Sequence, residues 1–314
     1  MEKHTIHIAF CVNNNYIPYI IVTCISILEN NTSNNITIHV FIDTISEKNK
    51  RLLKDNIKKY KNGKIEIHLV NDSLLIGLKD TWSIYAWYRI LIPEILPDNI
   101  HRILYLDADI IVKDNLEDLF LINMDDKSIA STIDIETFNE ETFLRCKYDK
   151  DKKYICSGVL LMNLDYWRKE NLTNKIILWA KENNHLIKFP DQDTINYICQ
   201  DTKILLPIRY GIQAPFLTNN KFYKEPYYQE LKDCITKPAI IHYAGCNPWI
   251  KELSTHPFTI DWIKYNKKMT KPVKRFYKTK GWLFFKMIVW NILHPNRNKN
   301  KLTIEDVKNR LMNS

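Results

Sequence analysis

Glycine is scarce in this chain: six in 314 residues, at Gly63, Gly77, Gly158, Gly211, Gly245 and Gly281. No G-x-G-x-x-G and no G-x-x-x-x-G-K-[ST] string occurs, which argues against glycine-cradled dinucleotide sites and P-loop chemistry. Any phosphate must then be held by a metal and a few backbone N–H groups. Cysteine occurs seven times, an odd and scattered set without a C-x-x-C pair, so no disulfide framework is read. No apolar run approaches the roughly 18 residues that a membrane span needs. No leader-peptide pattern is read either, because the chain runs almost at once into a strand-like segment. A cytosolic, reducing setting is expected. Internal repeats and long low-complexity blocks are also missing.

An even charge distribution is missing too. The chain carries a formal +9. Residues 267–314 hold thirteen Lys or Arg against Glu305 and Asp306, a local balance of +11, so residues 1–266 stand near −2. The reading is a nearly neutral domain with a basic tail, not a nucleic-acid-binding protein. Within the tail, residues 282–293 (WLFFKMIVWNIL) are aromatic and aliphatic. Lys271, Lys274, Arg275, Lys278 and Lys280 precede them, and Arg297, Lys299 and Lys301 follow. Twelve residues are too few to cross a bilayer, but apolar side chains beside many cations fit a segment lying in an anionic membrane interface. A helix packed on the main domain is the other reading, since apolar residues occur nearly all round it.

What is present is an alternation of apolar strands and helices. Residues 6–12, 36–42 and 65–70 read as strands, and residues 19–28 and 46–60 as helices. Such alternation predicts an α/β layered fold with a largely parallel sheet, whose ligands collect beyond the carboxyl ends of the strands. The Asn13-Asn14-Asn15-Tyr16 turn follows the first strand. Residues 103–112 (ILYLDADIIV) place Asp107 and Asp109 after a later one. In extended backbone, residues i and i+2 point the same way, so the two carboxylates project together. Like charges crowded there are costly unless a cation joins them, and hard oxygen ligands suit Mg2+ or Mn2+ shared with a substrate phosphate. A solvated turn after a core strand is the alternative.

Further candidates come in order. Residues 82–96 carry Tyr85, Tyr88 and Arg89 before Pro93, and helical spacing puts Tyr85 and Arg89 on one face, either as site residues or as an ordinary amphipathic surface. Residues 129–133 read as a strand that ends in Asp134. Residues 154–164 (YICSGVLLMNL) form a second buried run in which Gly158 allows close backbone approach. Residues 189–196 (FPDQDTIN) read as a helix start, where capping alone would account for Asp191 or Asp193. Residues 240–249 (IIHYAGCNPW) deliver His242 from a strand into a Gly/Pro turn; a structural histidine is the alternative to a ligand.

In this order, the N-N-Y turn, the Tyr/Arg helix before I-P-E-I-L-P, L-Y-L-D-A-D, S-G-V-L-L-M-N-L-x-x-W, D-Q-D-x-x-N and H-Y-A-G…P-W resemble the retaining glycosyltransferases of family 8. That group includes glycogenin and bacterial lipopolysaccharide galactosyl- and glucosyltransferases. The resemblance spans about residues 5–265. It implies a GT-A fold, a Rossmann-like nucleotide-binding sheet merged with an acceptor half, over residues 1–265, with residues 266–314 as the tail. The implied activity moves galactose or glucose from a UDP-sugar to a glycan or glycolipid acceptor such as lipopolysaccharide, at the inner face of the cytoplasmic membrane. Carried over, Asp107, Asp109 and His242 would bind Mn2+, with Mg2+ as substitute, and Asp107 would also approach the ribose. Asn13, Asn15 and Tyr16 would hold uracil and ribose. Arg89, Asp134 and Asp191 would bind the donor sugar, Gln192 would lie under its anomeric carbon, and Gly245 would offer an N–H to phosphate. Same-face attack is favoured, with double displacement through Asp191 or Gln192 still open.

Three positions depart from the family pattern. Asn13 stands where an Asp is usual, Cys156 where an Asn is common, and Asn247 where a Lys precedes Pro-Trp. Two other functions compete. A haloacid-dehalogenase-type phosphatase also uses D-x-D, but with the first Asp near the N-terminus. A non-catalytic nucleotide-sugar or glycan-binding relative is the second.

Overall fold

The computed structural model describes residues 4–78, 83–218, 227–254 and 256–278, together with Glu305 and Asn309. The strands, in chain order, are β1 (Thr5–Cys11), β2 (Asn35–Ile42), β3 (Gly63–Leu69), β4 (Arg102–Leu106), β5 (Ile110–Val112), β6 (Ile129–Ser131), β7 (Val159–Asn163), β8 (Lys203–Leu205), β9 (Ile212–Gln213) and β10 (Ile240–His242). Seven of them form one sheet in the order β3-β2-β1-β4-β7-β6-β8. β7 runs against its neighbours β4 and β6, while the other pairs are parallel. A small second sheet, β5-β10-β9, lies beyond the carboxyl end of β4.

β4 and β7, at the centre of the sheet, read as nearly unbroken apolar runs because both faces are covered. Ile6, Ile8 and Phe10 face one core, and Ala9 with Tyr105 faces the other; all are essentially without exposure. Truncating Leu104 at the centre of β4 to alanine removes contacts on a filled face and costs about 2–5 kcal/mol.

Helix α1 (Ile17–Asn30) carries Pro18 in its first turn and is buried nearly all round, being held between the large sheet and the small one. It fixes the turn that follows β4: Thr23 Oγ1 donates to the Ile110 carbonyl at 2.8 Å, and Ser26 Oγ accepts from Val112 N at 3.0 Å. Helix α2 (Glu47–Ile57) is capped by Ser46, whose hydroxyl accepts from Asn49 N. It stops short of Tyr60 because Tyr60 closes the turn into β3, accepting from Gly63 N at 3.2 Å.

Two expected elements differ. The helix over residues 82–96 is broken into an α-turn (Ile84–Trp87), a 3-10 turn (Tyr88–Leu91) and another α-turn (Ile92–Ile95); Trp82 lies outside the described residues. Pro93 has no N–H to give and its ring crowds the carbonyl four residues back, so regular winding cannot continue. The ends of the presumed shared face separate: Tyr85 reaches out to Asp43 at 2.9 Å, while Arg89 is buried. The run 154–164 is strand only from Val159. Residues 154–158 form a buried loop, laced to its surroundings by Cys156 N to the Thr132 carbonyl and Ile155 N to Asn196 Oδ1.

The first residues of the basic tail stay on the domain. Asn266 and Val273 exchange two hydrogen bonds, Thr270 N donates to Asn56 Oδ1, and Phe276 pairs with Ile250. The aromatic stretch 282–293 lies outside the described residues. Among the described residues, no helix is long and apolar enough to cross a membrane.

Candidate active site

Three chain segments meet where β4 ends. β1 and β4 are parallel neighbours, so the Asn13–Tyr16 turn and the Asp107–Asp109 turn leave the sheet side by side. β10 arrives antiparallel to β5, placing His242 opposite Ile110. Main-chain bonds pin the turn at both ends: Asp107 N donates to the Gly158 carbonyl at 2.9 Å, and Tyr243 N to the Asp109 carbonyl at 3.0 Å.

The result is a compact cluster of candidate ligands. His242 Nε2 stands 3.3 Å from Asp109 Oδ1 and 3.6 Å from Asp107 Oδ2. One atom from each of the three residues lies within 4.8 Å of the other two. The two aspartates do not merely project alike from a strand end, as alternation predicts; the turn carries both carboxylates toward one imidazole. Two carboxylates and a ring nitrogen fit Mn2+ or Mg2+ in donor type. Gly158 shows how closely the backbone is cut to this group, since a Cβ there would sit 2.3 Å from His242 Cε1 and 2.6 Å from Asp107 Oδ2. His242 Nδ1 faces Cys156 Sγ at 3.6 Å, which leaves Nε2 for the carboxylates.

Beside this group lies a buried ionic network. Arg89 donates to the Ser157 carbonyl at 2.6 Å and to Asp107 Oδ1 at 3.1 Å, and its Nη1 lies 3.1 Å from Asp191 Oδ2. Its guanidinium also covers the Tyr105 ring at 4.1 Å, and the Tyr105 hydroxyl donates to Asp107 Oδ1 at 2.6 Å. Burial raises the Asp107 carboxyl, but Arg89, His242 and Tyr105 outweigh it and hold the group below the usual carboxylate range. Burial pushes Asp191 up, and Arg89 offsets only part of that. Asp191 Oδ2 accepts no hydrogen bond of good geometry although it is buried. Burial lowers the His242 imidazole, yet Asp109 foremost lifts it well above its ordinary value.

Asp191, Gln192 and Asp193 open the helix Pro190–Ile198 and divide the work. Asp193 is structural: it accepts from Lys188 N, Phe189 N, Tyr154 Oη and both terminal nitrogens of Arg145. Capping therefore explains Asp193 and not Asp191. Gln192 Oε1 accepts from Ser157 N at 2.9 Å, which orients its amide beside the Ser157–Gly158 loop.

The other expected residues fall around the same place. Asp134 is buried, accepts from Glu136 N at 2.9 Å, and is pushed up to about 6 by burial, with His242 among its charged neighbours. Asn13 caps the 3-10 turn that follows it by accepting from Asn15 N. Tyr16 is 40% exposed, and burial followed by the charges of Asp109 and Asp107 raises its phenol. Tyr19 stacks on Trp249 at 4.1 Å, which ties this turn to the loop after β10. Gly245 sits in that loop with φ +87, a conformation that L side chains rarely adopt.

A family model for glycosyl transferase family 8 matches residues 7–252. The chain belongs to this family. The transferase is 29% identical over 258 residues to a lipopolysaccharide 1,2-glucosyltransferase of Escherichia coli, an alignment covering 79% of this chain and 74% of that one. It is 25% identical over 256 residues to a lipopolysaccharide 1,3-galactosyltransferase of Salmonella typhimurium, covering 77% and 72%. The crystal structure of the galactosyltransferase LgtC, in complex with donor and acceptor sugar analogs, superposes with a TM-score of 0.75 at 23% identity, over 85% of this chain and 97% of that one. The fold is the expected GT-A arrangement.

Sequence reasoning left several supports of this site without a role. Tyr105 and Ser157 lie inside quoted motifs, but only the fold shows what their polar groups touch. Asn196 brackets Ile155, accepting from its N–H and donating to its carbonyl, both at 2.8 Å. Gln213, buried on β9 beside His242, and Arg145, held by Asp193, gave no signal at all. A surface cavity lined by His101, Arg102, Asp125 and Lys169 sits at the opposite end of β4, away from this chemistry.

Proposed function

We propose that this family 8 transferase moves galactose or glucose from a UDP-sugar, with retention, to a glycan or glycolipid acceptor of the lipopolysaccharide kind. The observation that carries the reading is the meeting of Asp107, Asp109 and His242 within 4.8 Å of one another, against the buried Arg89–Asp191 pair. Asp107, Asp109 and His242 would hold Mn2+, or Mg2+ in its place. A cation bound there neutralises charge on a diphosphate leaving group. Asn13, Asn15 and Tyr16 line the side where base and ribose fit, and the Gly245 turn supplies a backbone N–H for phosphate.

Arg89, Asp134 and Asp191 are assigned to the donor sugar, whose hydroxyls supply the hydrogen bond that Asp191 Oδ2 lacks. The Gln192 oxygen is already bonded to the Ser157 amide, and an amide is a poor nucleophile. These facts favour same-face attack by the acceptor hydroxyl, with its proton passing to the departing phosphate oxygen. A double displacement has one observation in its favour: buried Asp191 Oδ2 accepts no hydrogen bond and meets Arg89 only as an ion pair. The relatives named as lipopolysaccharide glucosyl- and galactosyltransferases support both the hexose and the acceptor class. We assign residues 1–265 to catalysis and residues 266–314 to attachment at the inner face of the cytoplasmic membrane.

The test is a screen of UDP-sugars for Mn2+-dependent hydrolysis and transfer, followed by NMR of the first product. UDP-glucose or UDP-galactose should be consumed and should give an α-linkage. A β-linked product overturns retention. Donor binding without turnover would instead identify a non-catalytic binding relative.

A further inference from the structure

Three histidines cross β1, β2 and β3 in a row, on the face away from α1, and none of them serves the transfer site. We propose that His39, Glu66 and His68 form a second metal site for a Zn2+-class ion, with His7 as its outer partner. The register places them. His39 on β2 is directly opposite Glu66 on β3, and Phe41 is opposite His68, so two adjacent rungs of one parallel ladder deliver three donors to one face. His39 Nδ1 lies 3.0 Å from His68 Nε2 and 3.5 Å from Glu66 Oε2. Four ligands about 2.1 Å from a tetrahedral ion stand roughly 3.4 Å apart, so this spacing is already close to a coordination shell.

The donors are held from outside. His39 is fully buried, and its other ring nitrogen, Nε2, lies 2.9 Å from His7 Nδ1. With an ion on Nδ1, the His39 Nε2–H donates to His7, the outer contact that fixes tautomer and ring orientation in metal sites. Glu66 Oε1 is occupied by Lys64 at 2.6 Å, leaving Oε2 toward His39. The His68 ring lies flat on Phe41 with centroids 4.8 Å apart. Two imidazoles and one carboxylate are the donor set of three-ligand zinc sites with a fourth position for water. Imidazole-rich sets suit Zn2+, Co2+ or Ni2+, whereas carboxylate-rich sets shared with phosphate suit Mg2+ or Mn2+. The chain would thus carry two chemically different sites. The second clamps β2 to β3 and, through His7, β1, the strand whose end carries the Asn13 turn.

The same nitrogens can satisfy one another as a hydrogen-bonded row of imidazoles, and the experiment separates the two. Tag-free, full-length Asp109→Asn protein, with the first ligand set disabled, is titrated with CoCl2 and its visible absorption recorded. One equivalent should bind with the intense bands of tetrahedral cobalt, and the melting temperature should rise. His68→Gln and Glu66→Gln, each added to Asp109→Asn, should weaken cobalt binding about tenfold or more. In the otherwise unaltered chain, the same two substitutions should leave Mn2+-dependent UDP-sugar hydrolysis unchanged. Glu66 is partly exposed, so its glutamine variant keeps the fold if His68→Gln does not. The proposal is overturned if Asp109→Asn binds no cobalt, which identifies a hydrogen-bonded row only. It is also overturned if Glu66→Gln binds cobalt as tightly as its parent.

Discussion

Cys156 Sγ lies 3.6 Å from His242 Nδ1, on the ring edge opposite the nitrogen that faces Asp107 and Asp109. The same sulfur accepts from Gly158 N at 3.4 Å, so one buried thiol spans the loop and the histidine. Outer partners of a metal-bound imidazole are worth about 10–100-fold in affinity. Cys156→Ala should therefore raise the Mn2+ concentration needed for half-maximal donor hydrolysis by about tenfold. Cys156→Asn, the residue common in the family, should keep affinity near the parent's. Equal metal affinity in all three proteins would reduce the contact to packing.

Asp109→Asn should lower UDP-sugar hydrolysis by on the order of a hundred- to a thousandfold, the range for losing one preorganised electrostatic group. The melting temperature should barely move, because the Tyr243 N–H bond goes to the Asp109 main chain and survives. EDTA should abolish activity in the parent and added Mn2+ should restore it. An EDTA-treated parent with full activity would sink the metal assignment.

Much of the candidate site's placement is legible in the sequence because motif chemistry is local. Asp107, Asp109 and Asp134 follow strands that apolar patterning marks, and Gly158 and His242 sit at strand boundaries. The pattern could not show which polar groups face each other across the fold. Asp191 and Asp193 look alike in sequence, yet Arg145, from a helix 48 residues earlier, claims Asp193 and leaves Asp191 to Arg89. Residues 84–95 depart from one regular helix for a local reason: Pro93 halts regular winding, and Arg89 lies buried in the 3-10 turn before it.

Arg89 contacts Asp107, Asp191 and the Ser157 carbonyl with one planar fork, which lysine cannot reproduce. Arg89→Lys should reduce kcat/KM by about a hundredfold, through misplacement of Asp191 and Asp107. Arg89→Met removes the charge and leaves two carboxylates unmatched. It should destabilise the metal-free protein by about 3 kcal/mol in denaturant titrations. A metal-free Arg89→Met protein as stable as its parent would contradict the network described here.

Lys203 offers a pH readout from a group that is not among the candidate site residues. Its ammonium bonds the Lys153 carbonyl at 2.6 Å and contacts Tyr148, and burial lowers it from 10.5 to about 7. Between those values the unfolded chain binds a proton that the folded chain does not. This group therefore makes stability rise with pH across about 7 to 10 and contributes no slope below that window. Lys203→Met should flatten that part of the stability curve relative to the parent. Parallel curves for parent and variant would show that Lys203 is charged in the fold.

Residues 275–276, near the end of the described stretch 256–278, pack beside the site. Phe276 exchanges main-chain bonds with Trp249 and Lys251, Arg275 donates to the Pro248 carbonyl at 2.7 Å, and Trp249 stacks on Tyr19 next to the Asn13–Tyr16 turn. A membrane-bound tail would therefore hold the site opening close to the bilayer, where a glycolipid acceptor presents its sugar. Seven basic residues follow Lys278: Lys280, Lys286, Arg297, Lys299, Lys301, Lys308 and Arg310. At about 1 kcal/mol for each one near an anionic surface, a few engaged at once give salt-sensitive attachment. The place of truncation matters. Ending the chain at Tyr265 would strip the Thr270 and Phe276 contacts and confuse unfolding with detachment. A chain ending at Lys278 keeps them. Full-length protein should float with vesicles containing anionic lipid and dissociate in high salt. The shortened chain should stay in the soluble fraction while hydrolysing UDP-sugar at the parent's rate. Equal flotation of both chains, or indifference to salt, would mean that the tail is not an electrostatic anchor.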